Sequence, residues 1–229
     1  MSGVAGMTMA PDAADLPANP LSIRLSIKHE RLWWHIDDED HLPERWEVSA
    51  DVWAGEGCPD HVRHVADISL VIADLRRERN LLDSVALGEW ALEYIAETVL
   101  DSSDGRLHPD LDAQISDGAP RMVILRDVRL APHWRGHGLA APLIAGTLRT
   151  LAHSTRLAAC RVSPADFRAA CPDRISAELA SVRMAAMLER IGFYPWRGVH
   201  VLDLRNPSLL EARMSLLDNW GPTARDELP

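Results

Sequence analysis

The chain has almost no lysine. Lys28 stands alone, so 23 of the 24 basic residues are arginines. It also lacks a basic excess. Asp and Glu number 34, giving a formal charge of −10, which argues against general nucleic-acid binding, since that needs a positive face. The charge is consistent with a cationic or amine-bearing partner, although most negative surfaces serve solubility. Cysteine is scarce too. Cys58, Cys160 and Cys171 are too few for a disulfide framework and fit a reducing compartment. No uncharged apolar run approaches membrane-spanning length. Met1 to Pro20 has neither the basic start nor the apolar middle of a secretory leader. The expectation is a cytoplasmic protein without membrane contact. Arginine in place of lysine, with much Ala, Pro and Asp, suggests GC-rich coding and hints at a bacterial source. Internal repeats are also missing.

What is present is ample apolar material. At 229 residues and 47% hydrophobic, the chain can build one large domain with a sizeable core. Residues 1–20 lack periodicity and read as a disordered tail. From Leu21 the pattern changes. Leu21, Ile23, Leu25 and Ile27 alternate with polar residues, as a strand with one wet face does. Arg31 to Ile36 reads as a hairpin partner. Trp46, Val48 and Val52 alternate likewise, as do Val62, Ala66, Ile68, Leu70 and Ile72, so the first third predicts an antiparallel meander. Leu82 to Leu100 switches to helical spacing, with Leu92, Ile95, Ala96 and Val99 on one face and Gly88 weakening its start. Asp101 to Pro120 reads as a polar loop with Asp-Gly turn signals at 104 and 117.

The densest information lies in Arg135-Gly136-His137-Gly138-Leu139-Ala140. An apolar strand, Met122 to Leu130, precedes it, and an apolar helix, Leu139 to Leu151, follows. Strand, glycine turn, helix is how a backbone builds an anion site: amides converge and the helix start adds partial positive charge. Glycine lets that backbone approach a phosphate without a Cβ in the way. Pro142 falls in the first helical turn, where a missing N–H costs little. Further on, Leu157 to Val162 reads as a strand. Leu179 to Ile191 reads as a helix with a Met184, Met187, Leu188, Ile191 core stripe, stopped by Gly192. Val199 to Leu204 reads as a strand and Leu209 to Trp220 as a terminal helix.

The stretch from Val128 to Ala140 resembles motif A of the GNAT acetyltransferase superfamily, with Arg135, Gly138 and Ala140 at its three defining positions. The helix ending in Gly192-Phe193 resembles the family's motif B. The two blocks stand in family order with a strand between them, spanning about 122–204. The resemblance implies a central mixed, mostly antiparallel sheet flanked by helices, an α/β fold. It also implies a single domain over 21–229: a meander and helical insertion at 21–120, an acyl-CoA-binding core at 121–204 and a terminal helix at 205–229.

The activity so implied is an N-acetyltransferase carrying an acetyl group from acetyl-CoA to an amine through a ternary complex, with no metal. The pyrophosphate would sit on the amides of Arg135, Gly136, His137, Gly138, Leu139 and Ala140. The pantetheine arm would pair with the strand at Val128, Arg129 and Leu130, and Pro132, lacking an N–H, would end that pairing. An N–H near Leu130 would polarise the thioester carbonyl and stabilise the oxyanion. The acceptor amine must lose its proton first, because an alkyl ammonium near pKa 10.4 has no lone pair. The tyrosine often serving as general acid, four residues before the Gly-Phe glycine, is Leu188 here, and the asparagine seven residues earlier is Ser181. No catalytic residue is therefore assigned. Asp127 is on the right strand but of the wrong parity, and Tyr194 is a second weak replacement. Positioning alone can supply about 7–11 kcal/mol, so the missing acid is not disqualifying.

The remaining chemistry-bearing residues have plainer readings. Cys58, His61 and His64 have ligand-like spacing, but residues three apart on a strand face opposite ways. Cys160 lies in an apolar strand and reads as inert. Trp33, Trp34, Trp46 and Trp53 read as packing before an acceptor pocket. Asp101, Asp104, Asp110, Asp112 and Asp117 lack calcium-loop spacing. The rival to an enzyme is a GNAT-like acyl-CoA sensor or docking module, and the missing tyrosine keeps it open. A nucleotide binder ranks lower, since no Lys-Ser/Thr follows the turn. The identity of the amine, small molecule or peptide, is not legible, and neither is the oligomeric state, a homodimer included.

Overall fold

A computed structural model describes residues 16–30, 43–76 and 90–221. Seven strands form one sheet: β1 (Ile23–Lys28), β2 (Glu44–Val52), β3 (His64–Asp74), β4 (Arg121–Leu130), β5 (Leu157–Cys160), β6 (Tyr194–Trp196) and β7 (Val199–Asp203). Their order is β1-β2-β3-β4-β5-β7-β6. Every neighbouring pair is antiparallel except β4 with β5. The helices are α1 (Trp90–Val99), α2 (Pro109–Asp112), α3 (Ala140–Leu151), α4 (Arg174–Arg190) and α5 (Ser208–Trp220). This is an α/β fold on a mixed, mostly antiparallel sheet. No described helix is long and apolar enough to cross a membrane.

Strand parity sorts the core into two layers. On one face Val48, Ile68, Leu70, Val123, Leu125 and Ala158 pack with Leu143, Ile144 and Leu148 of α3, Met187 and Leu188 of α4 and Leu209 of α5. On the other, Val71, Met122, Ile124, Leu157, Ala159 and Val201 pack with Leu92, Ile95 and Val99 of α1 and with Leu111 of α2. Middle strands covered on both sides lose the alternation that marks β1, which explains the continuous apolar runs Met122–Leu125 and Leu157–Cys160.

Several expected elements shift. Packing begins inside the stretch read as tail: Leu16 and Ala18 lie against the first core layer and Pro20 is buried in a 3-10 turn. The partner of β1 is β2; Arg31 to Ile36 lies outside the described residues. So do 77–89, the start of the helix expected from Leu82. Asp101 to Pro120 carries the single-turn α2, opened by Pro109 with the His108 ring as its cap. The helix expected from Leu179 starts at Arg174, where the Asp173 carboxylate accepts from the Ser176 amide at 2.7 Å. Tyr194–Trp196 forms an unanticipated edge strand, in a hairpin with β7.

Candidate functional site

The sheet comes apart where β4 ends. β5 pairs with β4 only along Met122, Val123 and Ile124. Among the described residues β4 continues to Leu130 held by β3 alone, so Leu125 to Leu130 present a free edge toward β5. A bulge lies at the start of this edge. The partner of Ser69 is Asp127 and the partner of Leu70 is Leu125, leaving Arg126 as the extra residue. The bulge explains a parity break visible in the residues: the first core layer takes Val123 and Leu125, then Val128 and Leu130.

Backbone parity decides which amides face the free edge. The Ala131 N–H donates to the Val65 carbonyl at 2.8 Å. Two residues back in the same register, Arg129 also turns its amide toward β3, and Val128 and Leu130 turn theirs away. Of the three expected strand positions, two therefore offer edge amides; Arg129 instead pairs its exposed side chain with Asp127. The Leu130 carbonyl accepts from Arg135 Nε at 2.8 Å, tying the free edge to the turn that follows.

That turn is anchored by Trp134. Its side chain is wholly buried and its Nε1 donates to the Val62 carbonyl at 2.9 Å. A 3-10 turn, Pro132–Trp134, leads into Arg135, and then Gly136 and Gly138 take φ of 84° and 75°. These are left-handed conformations that side-chain-bearing residues resist. A Cβ at either position would meet nothing within 4 Å, so the turn opens on empty space. Leu139 caps α3 without a side-chain hydrogen bond. The Leu143 amide is the first to find a helical acceptor, the Leu139 carbonyl at 3.1 Å, and Pro142 has none to give. Among the described residues, no acceptor meets the N–H groups of Gly136, His137, Gly138, Leu139, Ala140 or Ala141. Unpaired amides at a positive helix end suit an anion of more than one charge.

The acid–base candidates are dispersed. Leu188 is 1% exposed and belongs to the core. The Ser181 hydroxyl is buried and donates to the Glu178 carbonyl at 2.7 Å. Tyr194 packs against the opposite core layer from α4, and burial, then the Asp203 charge, pushes its phenol up. Asp127 lies at the bulge, half-exposed beside Arg129. The sequence reading missed His200. It sits on β7 opposite Cys160, the residue where β5 stops pairing with β4. Burial lowers its pKa against the opposing Glu189 charge, and its Nδ1 is buried without a partner. Burial drives the Cys160 thiol up to about 12, which leaves it protonated and unreactive.

The other polar groups expected from the sequence do not assemble into a shared metal site among the described residues. Cys58 is buried and His61 sits in a 3-10 turn. His64 bridges Asp51 and Asp67 at 3.0 and 3.1 Å on the exposed side of β2 and β3. A cavity of about 480 Å³ among Leu75, Arg106, Leu107 and Arg156 opens at the far end of β4 from the turn. Its Arg156 already donates to Asp112 and to the Ser116 and Ile115 carbonyls, as a structural tie does.

No protein-family model matches the chain, and no curated protein matches it. Solved structures do. A tyrosine-to-phenylalanine mutant of KacT aligns over 82% of this chain and 98% of its own, with 11% identity and a TM-score of 0.35. AtaT complexed with acetyl-methionyl-tRNAfMet aligns over 82% and 99%, with 11% identity and a TM-score of 0.38. AtaTR bound with AcCoA aligns over 82% and 98%, with 11% identity and a TM-score of 0.35. Identity and superposition at this level are too loose to bear on activity.

Proposed function

We propose that the protein is an acetyl-CoA-dependent N-acetyltransferase. The observation that carries this reading is the junction of two unsatisfied backbone surfaces: the free edge of β4 from Val128 to Leu130, and the unpaired amides from Gly136 to Ala141. One is suited to an extended, amide-containing arm and the other to a diphosphate. CoA carries both, joined in that order, and supplies the acetyl group as a thioester.

The protein's part is binding and orientation. The turn amides hold the diphosphate, with charge-assisted bonds worth about 1.5–3 kcal/mol each. The outward Leu130 amide would align the arm along β4, and the Val128 N–H, farther from the diphosphate, would donate to the oxygen that gains charge as the amine attacks. The acceptor then enters between β4 and β5 beyond Ile124. With Leu188 in the core and Ser181 bonded to its own helix, the reaction proceeds by positioning, with bulk water or His200 handling protons. Thiol release from acetyl-CoA across an amine panel tests this. Release that depends on one amine class supports the enzyme.

The second reading is an acyl-CoA-binding module without turnover. Leu188 favours it, because a buried aliphatic side chain cannot protonate a leaving thiolate. Tight CoA binding with no amine-dependent thiol release against a broad panel would select it.

A further inference from the structure

The strongest unexplained surface lies on α4. Its inward side buries Ala177, Ser181, Met187 and Leu188. Its outward side is apolar as well: Ile175, Leu179 and Val182 are 77%, 47% and 63% exposed, and the exposed Ala186 continues the line. A surface helix ordinarily turns polar residues outward. The spacing of four, three and four residues is that of a two-helix seam, in which alternate knobs fill the holes of a facing helix.

The residues beside the seam choose the partner. Glu178 flanks one edge and Arg183 the other, five positions later. When two copies of this helix lie parallel, the residue preceding one core position faces the residue five further along on the other helix. Glu178 of each copy then meets Arg183 of the other, twice over by symmetry. An antiparallel pairing sets Glu178 toward Glu178 and loses that match. Among the described residues the Glu178 side chain is held only by Arg174, at 2.8 Å on the exposed surface, a pairing of little strength. Arg183 forms no ion pair among the described residues.

We propose that this face of α4 is a docking surface for a second copy of the chain, seamed by Ile175, Leu179, Val182 and Ala186 in parallel register. Four seam residues are far fewer than the roughly 20–30 a side of a stable interface, so the dimer is reversible and its population follows concentration.

Sedimentation of the full chain across roughly a hundredfold range of concentration tests it. The wild type is expected to shift toward twice the chain mass. Val182→Lys is expected to stay monomeric, while Met214→Lys, on the half-exposed outer face of α5, is expected to dimerise as the wild type does. Glu178→Arg and Arg183→Glu are each expected to weaken association at least several-fold, and the double swap to restore it. Circular dichroism confirms that each variant is folded. A wild type that is monomeric throughout, a dimer indifferent to Val182→Lys, or a double swap that restores nothing overturns the proposal.

Discussion

Replacing Gly138 by aspartate puts one negative charge into the open space before the turn, where a Cβ meets no atom within 4 Å. No protein atom is in the way, so affinity falls through two effects, the side chain's intrusion on the diphosphate and the added charge. A carboxylate about 5 Å from one phosphate charge is repelled by about 0.8 kcal/mol in water and about 3 kcal/mol at an effective dielectric near 20. The turn is open to solvent, so a penalty of about 1–2 kcal/mol is expected, a loss of roughly five- to thirtyfold in CoA affinity. The positive φ of 75° adds strain to any side chain, about 1–2 kcal/mol, but that is a charge on folding and is shared by bound and free protein. Gly138→Asn separates the two effects, since asparagine matches aspartate in shape, tolerates the left-handed region and carries no charge. Calorimetric titration with CoA should give an affinity order of glycine, then asparagine, then aspartate. The gap between the last two should shrink as salt shortens the screening length. Equal affinities for the aspartate and asparagine variants would refute the reasoning, because the amides would then not face the diphosphate.

Three further outcomes are expected of the same structure. Trp134→Ala removes a fully buried indole and orphans the Val62 carbonyl; a loss of about 3–5 kcal/mol is expected in denaturant unfolding, and a change under about 1 kcal/mol would show that the turn does not depend on this anchor. Leu188→Tyr should lower stability by about 1–3 kcal/mol through overpacking and leave amine-dependent thiol release no faster; a faster enzyme would mean that the ring reaches the cleft after all. The histidines should act oppositely on stability. His64 is raised, chiefly by its hydrogen bond to Asp51, so its contribution is complete below the ordinary value near 6.5 and is lost as pH rises through the folded value. His200 is lowered by burial, so stability is intact above 6.5 and falls as acid forces a proton onto it. Urea midpoints against pH should flatten on the alkaline side in His64→Gln and on the acid side in His200→Gln; slopes matching the wild type would discount the respective group.

The elements legible in the sequence were those with one dominant signal. Leu143, Ile144, Leu148 and Leu151 share a helical face, and all four are buried in α3. Gly136 and Gly138 both take the left-handed backbone that a glycine turn requires. Where two layers compete, the signal fades. The start of α4 was hidden because Ile175, Leu179 and Val182 face outward and erase the amphipathic contrast, although Asp173 three residues before Ser176 is a visible cap. β6 was hidden because three residues with a central proline show no period. The bulge at Arg126 could have been found: the apolar set changes parity between Leu125 and Val128, which one extra residue repairs. His200 gave no such sign, since its register partner Cys160 and the opposing charge of Glu189 are brought to it only by the fold.

Only three residue pairs stitch the β1–β4 half of the sheet to the β5–β7–β6 half. A slender guest can thus slide into the gap beyond Ile124 without severing any rung already made. The join resembles a seam left partly unsewn: three stitches hold the halves together, and the open length of β4 keeps its backbone rungs unspent.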